Sequence, residues 1–436
     1  MIFGWGKKTA DDDGGDDEDE EVDLVLFQGA LNGTDANLAA NARLADAGLI
    51  PAKEIVTDGI DRRAGTVRID PKGERYGVTY IIDGMPYPGD RLNKQEGLAV
   101  VQMLKLLSGL DIKERKATQN GGMKAEHKGE PYIVEVQSSL GEGGLEKLQV
   151  RCRHAKSKLD SAADIGMPES LKQKIREAAG HKGLFCVVGP PGTGVSTLFY
   201  VAVRSLDCYT RQIFTIGDHG GRHLDNITKF EENEGDDLAT TIQRVLRVDA
   251  DTIILPTLRD AETVQTVMKY REDCAFLSEF PAKDSIQGLL QLIKWVGDPQ
   301  IASESLNGVL TRKLVRTLCS KCKQAYRPNA QVAKKMGLPE SVKVLYRKHQ
   351  PSAEAGEEEE ACRKCDDVGY IGQVSMFEYL EMTEGMRALI ATNPDAAAIR
   401  AKMREEKQPT LDQDGLRLVA EGKTSLEELQ RVFKSP

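Results

Sequence analysis

Short apolar runs alternate with longer amphipathic stretches along this chain, and the character of the alternation changes near residue 155. Before it, residues 24–27, 66–70 (TVRID), 77–82 (GVTYII), 132–137 and 148–152 carry strand patterns, and Asp83-Gly84 supplies a turn after the third of them. Residues 36–47 are alanine-rich and predict a helix. Residues 97–110 predict another, with Leu98, Val101, Met103, Leu104 and Leu107 at helical spacing. Together these predict a small α+β domain over 24–155, a size on which a core can close.

After residue 155 the strands become wholly apolar, as buried parallel strands do. Residues 184–188, 213–216, 252–255 and 275–277 are such runs, and the helical patterns at 238–248 and 284–296 fall among them. Pro168 opens a further helix ahead of the first run, at a first-turn position. Strands separated by helices predict a parallel sheet with crossovers over 156–318. Residues 304–318 predict a helix, and the clearest helices beyond residue 383 are 395–404 and 425–433.

The stretch from 184 to 206, LFCVVGPPGTGVSTLFYVAVRSL, joins a buried strand to a helix, starting at about Ser196, through a Gly/Pro-rich turn. This is the setting in which Gly-x-x-x-x-Gly-Lys-Ser/Thr acts as a phosphate-binding loop. Backbone N–H groups and the positive end of the helix dipole form the phosphate nest. Gly189, Gly192, Thr193, Gly194, Ser196 and Thr197 stand where a nucleotide-binding loop needs them, but Val195 occupies the lysine position. The lysine of such a loop brings a point charge to the β- and γ-phosphates, and valine brings two methyl groups. Strand, loop and helix order is that of a RecA-like P-loop core, with its main charge removed. A glycine turn with no nucleotide function is the plainer alternative.

Composition adds bounds. A chain of 436 residues predicts two to four domains, and a hydrophobic content of 40% supports real cores. The net charge of −9 comes from the start of the chain: residues 11–23 hold ten carboxylates, leaving 58 acidic residues against 59 basic ones. Nothing in that balance points to nucleic acid as a partner. Residues 1–23 read as a disordered acidic tail. Ile2, Phe3 and Trp5 form an apolar tip on it, either inert or a docking peptide. Residues 354–361 (EAGEEEEA) read as a solvated insertion. No apolar run reaches the ~18 residues of a membrane span, and the N-terminus is too short in apolar residues for a signal peptide. The expected location is therefore cytoplasmic.

Of eight cysteines, Cys152, Cys186, Cys208 and Cys274 lie singly in apolar settings and read as reduced thiols. Cys319/Cys322 and Cys362/Cys365 form two Cys-x-x-Cys pairs. In a cytoplasmic setting this pattern predicts a structural Zn²⁺ held by four thiolates, over a subdomain at 319–366. Lys321, Lys323, Arg363 and Lys364 would offset the charge of such a site. Four unrelated thiols are the alternative.

Three blocks give the chain a resemblance to the hexameric traffic ATPases of type II secretion and type IV pilus assembly. The first is Ile82-Asp83-Gly84 with LLSGLDIKERKATQNGG (106–122) and Leu148-Gln149-Val150-Arg151, which resembles the PAS-like N-terminal domain of that family. The second runs from the P-loop through LRVDADTIILPTLRDAET (246–263) to FLSEFPAKDS (276–285). The third is RKLVRTLCSKC (312–322), CRKCDDVGYIGQVSMFEYL (362–380) and TLDQDGLRLVAEGKTSLEELQRV (410–432). The resemblance implies a PAS-like domain, a RecA-like core, a tetracysteine zinc subdomain and a helical C-terminal region over 367–436. It also implies ATP and Mg²⁺ as ligands, a homo- or hetero-hexameric ring, and partners in the inner-membrane secretion or pilus platform, at whose cytoplasmic face the chain would sit.

The departures from the family pattern fall on its catalytic positions. Besides Val195, Thr257 stands at the Walker B glutamate, Gly217 (in Gly217-Asp218) at the glutamate of the Asp box, and Pro281 at the histidine of the His box. Arginines of the N-terminal domain fall on Thr79, Ile81, Lys116 and Gly122. Phosphoryl transfer to water needs stabilised charge on the γ-phosphate and an oriented nucleophile, and these changes remove both. The resemblance therefore implies a non-hydrolysing structural or regulatory subunit, acting beside an active paralogue and binding ATP weakly. A working ATPase with unusual residues and a scaffold unrelated to secretion are the rivals.

Overall fold

The computed structural model describes residues 23–157, 159, 161–217, 219, 224, 226–329, 331, 336–338, 341–350 and 362–434. The acidic tail before residue 23, the 354–361 insertion and Asp218 lie outside the described residues. The chain divides into two compact units, residues 1–157 and 158–436.

The first unit is a seven-stranded sheet with two helices. Its strands are β1 (Leu26–Ala30), β2 (Thr66–Lys72), β3 (Arg75–Ile82), β4 (Met85–Asn93), β5 (Gln119–His127), β6 (Glu130–Leu140) and β7 (Glu146–His154). Their spatial order is β1-β5-β6-β7-β2-β3-β4, antiparallel throughout. The predicted turn at Asp83-Gly84 joins β3 to β4, with φ of 50° and 78° and Ile82 paired to Met85. Two positive φ values are what a two-residue hairpin turn of the primed type requires.

Helices α1 (Ala42–Asp61) and α2 (Lys94–Leu107) close this unit's core, where Val56, Val67, Tyr76, Val100, Met103 and Val134 are buried together. The first helix corrects the prediction at 36–47. Asp35 and Asn37 accept from the backbone of Asn37 and Ala40, so residues 36–41 turn and the helix starts later. It then runs through Gly48 and Pro51, both poor helix signals. Gly48 is held by packing: a methyl group there would lie 2.6 Å from the Ala99 carbonyl of α2. At the start of α2, Asn93 accepts from the N–H groups of Gln95 and Glu96, and Glu96 accepts from the Asn93 N–H, forming a capping box. Replacing Asn93 with Ala is expected to cost about 1 kcal/mol, read as a lower urea midpoint at unchanged m-value.

The second unit is a three-layer α/β sandwich. Strands β8 (Gly183–Gly189), β9 (Ile213–Thr215), β10 (Thr228–Lys229), β11 (Thr252–Ile254), β12 (Ala275–Pro281) and β13 (Leu306–Leu318) are parallel, in the order β10-β9-β11-β12-β8-β13. A 12-residue strand, Tyr370–Glu381, adds antiparallel at the β13 edge. Alternate residues of the strands enter two cores. Phe185, Val187, Ile254, Leu277 and Leu310 pack with Leu198, Phe199 and Ala202 of helix α4 (Val195–Ser205). Leu184, Cys186, Val188, Ile253, Phe276 and Val309 pack on the other face with Ile242, Val264, Leu289 and Leu292. The helix ahead of β8 is α3 (Glu169–Gly180), with Pro168 as its N-cap residue rather than inside its first turn.

The helix predicted at 304–318 is overturned. Only Pro299–Ser305 is helical there; Leu306–Leu318 is a 13-residue strand between β8 and Tyr370–Glu381. Leu306, Val309, Leu310 and Leu314 mimic helical spacing, but residues 306–312 are buried on both faces of the sheet, which removes the period-2 signal. Tertiary pairing overrides the local pattern. Beyond the last strand the chain is helical at Glu384–Ile390, Ala396–Glu405, Leu411–Ala420 and Leu426–Lys434. Among the described residues, no helix is long and apolar enough to cross a membrane.

Candidate functional site: the P-loop edge and the cysteine cluster

The parallel strands of the second unit all end on one edge, and the singled-out residues between Gly189 and Pro281 collect there; Thr79 and Ile81 on β3, Lys116 before β5 and Gly122 on β5 belong to the first unit. Gly189 closes β8, Pro281 closes β12 and pairs with Gly189, Gly217 follows β9 and Thr257 follows β11. Ligands of open parallel sheets bind at this carboxyl edge. The loop leaves β8 at Gly189, whose carbonyl accepts from Ala282 N–H at 3.1 Å. Thr193 closes a turn onto the Pro190 carbonyl, with Oγ1 at 2.7 Å. Gly192 and Gly194 take φ of 82° and 78°, conformations that other residues rarely adopt. Gly194 is the N-cap of α4, so the helix's first free N–H groups face the loop.

Val195 is half-buried at the start of α4. One of its methyl groups lies 2.9 Å from where a Cβ on Gly189 would be, and the side chain packs against the α4 core. Ser196 is exposed and donates its hydroxyl proton to Glu279 Oε1 at 3.0 Å. Thr197 is half-buried. Thr257 is exposed; the residues flanking it are tied to β12 by Ser278 Oγ to the Pro256 carbonyl (2.7 Å) and Leu258 N–H to the Glu279 carbonyl (2.9 Å). Gly217 has φ of 75°, and a Cβ there would meet Pro256 at 3.0 Å. Its N–H donates to the Glu232 carboxylate. The local backbone is shaped for glycine, so a carboxylate at 217 would need both the turn and Pro256 to move.

Two charged residues at this edge were not singled out in the sequence, although both lie inside the quoted blocks. Glu279, two residues before Pro281 on β12, holds the Ser196 hydroxyl. Arg312, on β13, donates from Nε to the Thr193 carbonyl at 3.2 Å and is 5% exposed. Burial lowers its pKa to about 10, so it remains charged at neutral pH. Only strand pairing reveals their place: Glu279 is in register with Val187 on one side of β8, and Thr311 with Val188 on the other.

The cysteines assemble as the sequence predicts. The four Sγ atoms of Cys319, Cys322, Cys362 and Cys365 lie within 4.8 Å of one another, with Cys319–Cys362 at 4.0 Å and Cys322–Cys365 at 3.5 Å. Cys319 and Cys365 are buried. Backbone N–H groups of Lys364 and Cys365 bring the Cys362 pKa down to about 7, whereas burial raises that of Cys365. The Gly369 N–H donates to Cys365 Sγ at 3.4 Å, and Lys364 Nζ donates to Ser320 Oγ at 2.8 Å. The arrangement is a four-thiol cage that could hold a metal ion.

Comparison with known proteins places this architecture. The sequence profile of the family described as "Type II/IV secretion system protein" matches residues 46–431. The type II secretion system protein E of Dickeya dadantii (strain 3937) is 30% identical over 386 residues, covering 87% of this chain and 74% of that one. The type IV pilus assembly ATPase PilB of Myxococcus xanthus (strain DK1622) is 27% identical, covering 86% and 66%. Among solved structures, the ATPase DotB of Legionella pneumophila superposes with a TM-score of 0.57 at 14% identity, over 89% of this chain and 96% of that one. The pilus retraction motor PilT with bound ADP gives 0.51 at 17% identity, over 88% and 97%. These two show a shared fold. With its P-loop edge and a sequence match running through both units, the chain belongs to the type II/IV secretion system protein family of secretion and pilus traffic ATPases.

Proposed function

We propose that this chain is a hydrolysis-deficient subunit of a secretion or pilus-assembly machine, structural or regulatory in role. It works at the cytoplasmic face of the inner membrane, in a homo- or hetero-hexameric ring with platform proteins and an active paralogue as partners. The loop residues Gly189, Gly192, Thr193, Gly194, Ser196 and Thr197 hold a nucleotide with Mg²⁺ weakly, and Cys319, Cys322, Cys362 and Cys365 hold a structural Zn²⁺. The observation that carries the reading is Val195. Its apolar side chain is half-buried against the core beside Gly189, so residue 195 offers the γ-phosphate no charge. Thr257 and Pro281 lack the carboxylate and imidazole that would orient water.

One missing electrostatic partner typically costs ~3 kcal/mol of transition-state stabilisation, or about 10²-fold in rate. Losses within one site do not simply add, but each acts in the same direction. The expected result is that purified wild type releases no phosphate from Mg-ATP above a Ser196→Ala control. The second reading, a working ATPase with relocated groups, is favoured by the Ser196–Glu279 hydrogen bond, which places a carboxylate beside the Mg²⁺-binding hydroxyl. Mg²⁺-dependent release that disappears in Ser196→Ala would establish that second reading and end the first.

A further inference from the structure

Arg312 is a charge in an expensive place. It is 5% exposed, and its only hydrogen bond among the described residues runs from Nε to the Thr193 carbonyl, with no carboxylate paired to it. A buried cation without a counter-ion is strongly destabilising. The position makes this worse. Thr311 pairs with Val188, so residue 312 stands beside Gly189, where the chain leaves the sheet for the loop. Leu310, two residues earlier, packs in the α4 core, so by strand alternation Arg312 lies on the same side of the sheet. There its Nη2 abuts Gly194, the N-cap of α4, where a methyl group would collide with it.

A helix N-terminus favours negative charge, with a partial positive charge of its own. Here a guanidinium and that N-terminus face the same space. Two like potentials are brought together, and both would be relieved by one anion. The groups available to such an anion are also complementary in kind. Backbone N–H groups of the loop and the two Nη groups of Arg312 are all donors, a set that matches the oxygens of a phosphate.

We propose that Arg312 supplies the fixed cation of this P-loop in place of the missing lysine, and that the loop and Arg312 together bind the polyphosphate of a nucleoside di- or triphosphate. The proposal rests on the reading of residues 189–197 as a nucleotide loop and is independent of whether the nucleotide is hydrolysed. Lysine in such a loop approaches from the helix; arginine here approaches from the neighbouring strand, and its planar fork can meet two oxygens at once. The Glu279 carboxylate, held by Ser196, stands at the same edge. Its negative charge makes Mg²⁺ part of the favoured complex.

The test is calorimetric titration of the full chain with adenosine, ADP and ATP, each with Mg²⁺, for wild type, Arg312→Gln, Arg312→Lys and the double variant Val195→Lys/Arg312→Gln. A charge-assisted hydrogen bond lost from phosphate predicts about a tenfold to hundredfold weaker affinity for ADP and ATP in Arg312→Gln. Adenosine affinity should not change. Arg312→Lys should keep part of the affinity, and lysine at 195 should recover much of what Arg312→Gln loses. A residue that only packed the loop would not be rescued by a charge supplied from another position. If Arg312→Gln loses its folded circular-dichroism spectrum, Arg312→Met, which keeps the apolar stem, takes its place.

Wild type binding ATP no better than adenosine would overturn the proposal, and so would Arg312→Gln binding ATP as wild type does. Phosphate release is followed on the same samples. Rapid turnover by wild type would end the non-hydrolysing reading, while the assignment of Arg312 would still stand or fall on the affinities alone.

Discussion

The Zn²⁺ proposed for the four-cysteine cluster is expected to hold the far end of the second unit folded, so that chelation unfolds it. A Zn²⁺ at 2.3 Å from four sulfurs at tetrahedral angles sets them about 3.8 Å apart. The observed 3.5 and 4.0 Å bracket that value. Three backbone and side-chain links fasten the cage to the rest: Cys319 N–H to the Gly369 carbonyl (2.9 Å), Leu318 N–H to the Lys423 carbonyl (2.8 Å) and Lys323 Nζ to the Gly422 carbonyl (2.8 Å). The cage therefore joins the end of β13, the start of Tyr370–Glu381 and the turn before the last helix. Structural Zn²⁺ contributes roughly 10–16 kcal/mol of apparent binding energy at pH 7, comparable with the whole stability of a domain, about 5–15 kcal/mol. Elemental analysis should give one zinc per chain. Chelation, or Cys365→Ser, should strip hydrogen-exchange protection from residues 318–323 and 362–375 and the helices at 411–434. The strands β8, β9, β11 and β12, which the cage does not touch, should keep theirs for longer. Protein purified without chelator that contains no metal would refute the zinc assignment, and unchanged exchange after chelation would refute its structural role.

Legibility in the sequence followed how local the signal was. The Cys-x-x-Cys pairs are read from spacing alone, and the structure brings their sulfurs together. The P-loop is equally local, a strand, a turn and a helix in one stretch. Two strands of the first unit, the edge strand β4 and the interior strand β5, carry weaker signals. β4 carries Pro86, Pro88 and Gly89, and β5 carries Gly121 and Gly122, residues that weaken strand signals. They form strands because partners on the sheet fix them. The sequence of β13 predicts a helix for the converse reason: buried on both faces over its first half, it has no alternation to show. That error matters for the site. A helix at 304–318 gives Arg312 no address, whereas a strand beside β8 sets it against the P-loop. The charge missing at Val195 was legible; the charge arriving from another strand was not.

The first unit carries the second large effect, at a buried ion pair. Lys105 on α2 is 0% exposed and Glu146 on β7 is 2% exposed. The Lys105 ammonium donates to Glu146 Oε1 and, at 2.6 Å, to the Glu114 carbonyl; Ser138 Oγ donates to the same Glu146 oxygen at 3.0 Å. Glu146 Oε2, by contrast, is buried with no hydrogen-bond partner among the described residues. Taking both charges out of water is costly, and their attraction offsets that cost only while both are present. Lys105→Met should therefore destabilise by about 3–5 kcal/mol, because it leaves a buried carboxylate with one hydroxyl for company. It should also free the 111–119 loop, which the ammonium holds through Glu114. Lys105→Met combined with Glu146→Leu removes both charges and should recover most of the loss, since a well-packed apolar pair is often as stable as a buried ion pair. Urea unfolding of wild type, both single variants and the double variant measures the coupling directly, as a double-mutant cycle. A Lys105→Met midpoint equal to wild type would mean that the pair contributes nothing. A double variant as unstable as the sum of its singles would mean that the cost lies in lost packing rather than in the unpaired charge.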